Sequence, residues 1–247
     1  MKHTFTYQVQ YQEVDGDRKL RLYTLENYLL NVAGLVSDQL GYGIKQLLPY
    51  GYTWIITRLS LEMSYIPTHQ ETLQIETWIE QNAHCLSTRD YRIYLDNEGE
   101  LQLIGIAKSV WTVLDLKKRE IVNFTSMPMF DNIVDGEVLT MAHAQRLRPI
   151  TEPDLVVPHT IQYSDVDYNG HCNSCKYLEI MLDAKRISVD NSCIRLDINY
   201  IKEVHNSDKI KTLIEENSQS IHYQQKDEND VTCCSAQIQR IEELSCR

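Results

Sequence analysis

No stretch of the chain carries the roughly 20 consecutive apolar residues that a bilayer-spanning helix requires, so no membrane partner is expected. Positive charge is also scarce. Twenty-four Lys and Arg stand against 35 Asp and Glu, a formal net charge of -11. Phosphate contact needs a basic surface, so nucleic-acid binding is not expected either. The opening residues, Met1-Lys2-His3-Thr4-Phe5-Thr6-Tyr7, have no signal-peptide core, which reads as a cytoplasmic protein. The seven cysteines are odd in number and scattered, the pattern of reduced thiols rather than of a disulfide framework. What remains is ordinary globular composition, 43% hydrophobic and 24% charged, over a length that fits one large domain or two packed halves.

Alternation of apolar and polar residues marks strands over 54–65, 72–80, 85–95 and 101–114, with the turn Asp96-Asn97-Glu98-Gly99 between the last two; together they predict an antiparallel meander. One segment breaks this period. Leu25, Tyr28, Leu29, Val32, Leu35 and Val36 fall at spacings of three and four, which predicts an amphipathic helix capped by Thr24 and ended by Gly41. A second helix is predicted from Asn173, its cap, to about Arg186, with Tyr177, Leu178, Met181 and Leu182 on one face.

The chain repeats itself weakly. Tyr11-Gln12-Glu13-Val14-Asp15 before the first helix matches Tyr163-Ser164-Asp165-Val166-Asp167 before the second. Leu61-Glu62-Met63-Ser64-Tyr65-Ile66 after the first matches Leu196-Asp197-Ile198-Asn199-Tyr200-Ile201 after the second. Two matches in one order point to duplication. The expected division is a first repeat over 1–135, a linker over 136–157 with some helix near 139–146, and a second repeat over 158–247. The fold class expected is α+β: two tandem repeats, each an antiparallel sheet wrapped around a long helix, packed side by side with their sheets joined.

Only the second repeat has a polar cluster where its helix begins, Asp167-Tyr168-Asn169-Gly170-His171-Cys172-Asn173-Ser174. The segment Asp167-x-Asn169-x-His171-x-Asn173 with Lys176-Tyr177 resembles the signature of acyl-acyl-carrier-protein thioesterases, a family of tandem hotdogs. Trp54-x-x-x-Arg58, Tyr65-x-Pro67-Thr68, Glu76-Thr77-Trp78, Ser109-Val110-Trp111 and Tyr200-x-Lys202-Glu203 are similar to further landmarks of that family. Cys172, Ser174 and Val204 depart from it, standing where members commonly have valine, asparagine and cysteine.

The resemblance implies release of a free fatty acid from acyl carrier protein, with catalytic positions at Asp167, Asn169, His171 and Glu203. The residue types suit thioester hydrolysis. A carboxylate such as Glu203 can take a proton from water if partial burial raises its pKa, an amide can hold water or thioester, and helix N–H groups can stabilise an oxyanion. The acyl pocket is expected in the first repeat along Leu29, Val32, Ala33 and Val36. No cofactor is expected. His171, Cys172, Cys175 and Asp167 contain half of a zinc pattern, but no second pair stands at matching spacing, so no metal is expected. His84, His143 and His205 have no partners in sequence and read as incidental.

An acidic carrier needs a local basic patch. Lys117-Lys118-Arg119, read as a hairpin tip, Arg146 and Arg148, and Lys176, Lys185, Arg186 and Lys202 are the candidates. Alternatives are a hotdog thioesterase acting on acyl-coenzyme A, a hotdog dehydratase and a non-enzymatic acyl-binding module, and a homodimer is allowed for. The dehydratase would need a histidine at the matching place in the first repeat, and none stands there.

Overall fold

A computed structural model describes residues 1–124, 127–130, 133–187 and 193–245. The described strands form one antiparallel sheet of eleven. The first half contributes β1 (His3–Gln8), β2 (Tyr52–Met63), β3 (Thr72–Ala83), β4 (Leu86–Asn97), β5 (Glu100–Asp115) and β6 (Glu120–Val122). The second contributes β7 (Leu155–Thr160), β8 (Cys193–Tyr200), β9 (Lys209–Glu216), β10 (Ser220–Asp227) and β11 (Thr232–Ile241). Their order is β1-β3-β4-β5-β2-β8-β11-β10-β9-β7, with β6 on the flank of β5. The halves meet at β2 and β8, the strands that match in the sequence repeat, and Leu61 lies opposite its counterpart Leu196. A local two-fold relation between the halves therefore passes through the middle of the sheet.

Helix α1 (Leu22–Gln39) buries Leu22, Leu25, Tyr28, Leu29, Val32, Ala33 and Val36 at helical spacing. That stripe is what drives the segment out of the strand period and onto the sheet. It starts two residues before Thr24, with Arg21 rather than a threonine at the cap position. It ends as the pattern predicts, because Gly41 takes a left-handed φ of 81° that costs glycine nothing. The short α2 (Ile44–Leu47) follows. Helix α3 (Ser174–Ala184) is capped by Asn173, whose Oδ1 accepts the Cys175 N–H at 3.0 Å. With eleven residues it is shorter than the long helix expected, and packs against α1.

Residues 139–146 are not helical. The segment crosses the sheet without regular secondary structure, and side chains of the strands take several of its backbone groups. Trp78 Nε1 donates to the Glu137 carbonyl at 2.8 Å, and Asp90 Oδ2 accepts the Leu139 N–H at 3.0 Å. Arg195 Nη2 donates to the Ala142 carbonyl at 2.8 Å, Asn199 Nδ2 to the Gln145 carbonyl at 3.1 Å, and Gln224 Oε1 accepts the Ile150 N–H at 3.2 Å. Side chains of the sheet thus satisfy several backbone groups that a helix would have paired within itself. The strap also buries polar side chains of the central strands, such as the Glu62–Arg195–Asp197 chain of ion pairs.

Candidate active site

The loop before each helix is built the same way twice. In the second half, Asp167 Oδ1 accepts the N–H of Asn169 at 2.8 Å and of His171 at 3.3 Å, and the Asp167 N–H donates to the His171 carbonyl at 2.8 Å. In the first half, Asp15 Oδ1 accepts the N–H of Asp17 at 2.8 Å and of Lys19 at 3.1 Å, and the Asp15 N–H donates to the Lys19 carbonyl at 2.8 Å. Gly170 and Arg18 occupy the same left-handed corner, at φ 78° and 64°. The aspartate is thus an organiser of the loop in both halves, by the local side-chain-to-backbone bonding that favours Asp at turns. What differs is the cargo: His171 in the second loop stands where the first has Lys19.

Glu203 lies just beyond β8, and the backbone fixes it against the loop. The Cys172 N–H donates to the Val204 carbonyl at 2.8 Å, and His171 forms an isolated antiparallel bridge with His205. Tyr177 of α3 clamps the turn from inside: its hydroxyl donates to the Lys202 carbonyl at 3.3 Å and accepts the Val204 N–H at 3.2 Å. The result brings His171 Nδ1 to 3.6 Å from Glu203 Oε1. The other carboxylate oxygen, Oε2, is held by Arg119 from the turn after β5.

All four sequence-predicted polar residues, Asp167, Asn169, His171 and Glu203, line one cleft of about 570 Å³ between the halves. Trp54 and Trp111 on the first half form part of its wall, and Cys172, Ser174, Tyr177 and Tyr200 the facing side. The Asn169 side chain is exposed, and its amide reaches Asp167 Oδ2 only at 3.5 Å. Cys172 contributes to the cleft wall instead of turning away from it. Burial first, then Asp165 and Asp167, push its thiol up to about 12, far from the thiolate that nucleophilic attack requires.

A second, more apolar cavity of about 400 Å³ adjoins the cleft, sharing Trp54 and Trp111 with it. Of the four residues expected to line an acyl pocket, Ala33 does so. Leu29 and Val32 are packed in the main core at 0% exposure, and Val36 is likewise buried, none of them lining this cavity. Leu30, Gly34 and Ser37 line it instead, with Ile79 opposite. Periodicity identifies the buried side of a helix, but that side divides here between core and cavity.

Three contributors were not singled out by sequence. Arg119, read as part of a hairpin tip, reaches Glu203 across 84 positions, and His205, read as incidental, stacks edge-on to His171 with ring centroids 4.8 Å apart. Glu26, fully buried on α1, accepts a hydrogen bond from the hydroxyl of Tyr200, whose ring forms part of the cleft wall. Only the polar residue on the buried side of α1 left a signal that pattern reading could have used.

An antiparallel sheet lying over packed helices, with a polar cleft and an apolar cavity side by side, defines a hotdog-fold protein. The family model of the acyl-ACP thioesterase N-terminal domain matches residues 1–128, and that of the C-terminal domain residues 151–242. The chain belongs to the acyl-ACP thioesterase family. Among curated relatives, it is 24% identical over 199 residues to a chloroplastic palmitoyl-acyl carrier protein thioesterase of Arabidopsis thaliana, covering 74% of this chain and 47% of that one. The chain thus spans about half the length of the curated relatives it matches first. Among solved structures, an acyl-ACP thioesterase from Bacteroides thetaiotaomicron superposes with a TM-score of 0.86 at 26% identity, over 97% of this chain and 98% of that one. The 12:0-ACP thioesterase from Umbellularia californica shares the fold, with a TM-score of 0.80 at 18% identity and 98% coverage of both chains.

Proposed function

We propose that this chain hydrolyses the thioester of a fatty acyl group carried on acyl carrier protein, releasing the free acid. The observation that carries the reading is the meeting of His171 and Glu203 in a cleft that shares its tryptophan wall with an apolar cavity. In this reading each sheet half wraps its own helix as a tandem hotdog. Residues 1–135 supply the acyl cavity, 136–157 the strap, and 158–247 the polar groups.

The acyl chain lies in the cavity beside Ala33, Gly34 and Trp54, and the phosphopantetheine thioester reaches the cleft from the solvent side. Glu203 accepts a proton from a water molecule as its oxygen attacks the carbonyl carbon. The oxyanion forms near the N-terminus of α3, where helix N–H groups and dipole stabilise negative charge. Collapse of this intermediate breaks the carbon–sulfur bond, and His171 gives a proton to the departing thiolate. Asn169 positions water or thioester, and Asp167 holds the loop that presents both. Arg119 holds Glu203 by its far oxygen, and Tyr177 holds the backbone of Lys202 and Val204 on either side of it. Lys19, at the place of His171 in the first half, leaves no paired histidine for a dehydratase.

Purified protein given acylated carrier protein and the same acyl group on coenzyme A should release fatty acid with the higher kcat/KM on the carrier. Glu203→Gln or His171→Ala should reduce turnover by a factor on the order of a hundred or more, while Cys172→Ala leaves it largely intact. An acyl group trapped on Cys172 and seen by mass spectrometry after rapid quenching would replace direct attack of water by a covalent route.

A further inference from the structure

His171, Glu203 and His205 each offer one donor atom, and these atoms all lie within 4.8 Å of one another. Two imidazoles and a carboxylate are a donor set suited to zinc, which takes three protein ligands and one water in a tetrahedral shell. Bond lengths of about 2.0–2.2 Å place the donors of such a shell roughly 3.4 Å apart. His171 Nδ1 and Glu203 Oε1 are already at 3.6 Å. The wider separations involve a residue that can move: the His205 side chain is 57% exposed.

The surroundings support the set. The His205 N–H donates to Asp208 Oδ2 at 2.8 Å, and that oxygen also lies 3.7 Å from His205 Nδ1. The Asp208 carboxylate thus holds the His205 backbone and places negative charge beside its ring. Arg119 occupies Glu203 Oε2 and leaves Oε1 as a monodentate ligand. Its positive charge opposes a cation there, whereas that of Lys202 is met by Asp227. His171 and Glu203 both line the cleft.

We propose that His171, Glu203 and His205 form a binding site for a divalent transition-metal ion, with zinc as the type case, and that its occupation switches off hydrolysis. The inhibition rests on the function proposed above, because the metal takes the lone pairs with which Glu203 would accept a proton from water and His171 would exchange one. The binding does not rest on it. The hard cations magnesium and calcium, which take oxygen ligands, are excluded by the two imidazoles.

The test uses the full chain stripped with a chelator, then titrated with zinc chloride by calorimetry and equilibrium dialysis. His205→Asn removes one ligand and leaves the other two, His171 and Glu203, in place. It should lose one equivalent of zinc and need about tenfold more zinc or higher for half inhibition, each variant being referred to its own metal-free rate. Cobalt in place of zinc should give visible bands without a thiolate charge-transfer band, which separates this site from the cysteines. Equal zinc binding by the parent protein and His205→Asn, or a thiolate band, would overturn the site. Loss of one equivalent without any change in inhibition would overturn the switch. A metal-free parent protein inactive on acyl thioesters would sink the function reading instead, and with it the switch, while dialysis would still read the site.

Discussion

Glu26 is the residue whose chemistry is most at odds with its surroundings. It sits on α1 at 0% exposure, with one carboxyl oxygen bonded by Tyr200 and Oε2 without a partner among the described residues. Burial raises its pKa from 4.5 to about 8, against the opposing pull of the Tyr200 hydrogen bond. Below pH 4.5 the carboxyl is neutral in folded and unfolded chains alike, and its contribution to stability is fully present. Between 4.5 and 8 the unfolded chain ionises while the folded one keeps its proton, so stability falls by up to about 1.4 kcal/mol per pH unit. Above 8 the loss levels off. Glu26→Gln should therefore gain stability over the parent protein at pH 9 by a few kcal/mol more than it does at pH 5, read from thermal melts at the two values. Parallel pH curves would show that Glu26 ionises freely in the folded state.

At the scale of elements, α1 serves two neighbours at once. Leu29 and Val32 belong to the core, whereas Leu30, Ala33, Gly34 and Ser37 face the apolar cavity. The two groups should respond differently to added bulk. Ala33→Phe fills cavity space, and should shift the released acids towards shorter chains while activity on short substrates persists. Val32→Phe overpacks a site at 0% exposure, and should cost about 1–3 kcal/mol of stability with no specific change of chain length. Chromatography of the released acids, together with melting curves, checks both. The opposite assignment would place the acyl chain elsewhere.

For the whole molecule, charge is the governing quantity. Under the proposed function, a net charge of -11 would repel an acidic carrier, and its approach would depend on the cations at the cleft. Lys185 pairs with Glu216 at 2.8 Å, Arg186 with Asp15 at 2.8 Å, and Lys176 with Glu179 at 2.6 Å. Lys202 is held by Asp227. Lys117 and Lys118 are exposed beside Arg119, on the turn between β5 and β6 at the cleft rim. Lys117→Glu with Lys118→Glu should raise KM for carrier-linked substrate and leave a small acyl thioester unaffected. The difference should shrink with added salt, because screening acts over about 8 Å at physiological ionic strength. An unchanged KM at low salt would remove this turn from the docking surface.

Much of this architecture is written in local pattern. Period-two alternation marks the strands of the meander, a three-and-four stripe marks α1, and Asn173 marks the start of α3, because each signal arises from neighbours along the chain. The repeat told more, since matching strands around a two-fold relation end up paired at β2 and β8. The Asp167–His171 cluster and Glu203 were legible through family resemblance. Their approach to 3.6 Å was not, because it depends on a backbone bridge between segments more than thirty residues apart.

The sequence by itself determined the strands of the first meander, through period-two alternation, and the duplicated loops that Asp15 and Asp167 organise and the capped second helix, through local side-chain-to-backbone bonding. Only the tertiary structure decided that 139–146 runs as a strap, that Arg119 faces Glu203, that His205 meets His171, and which residues of α1 see a cavity. Those outcomes turn on distant side chains competing for the same backbone groups and the same space. That competition is resolved only when the sheet closes.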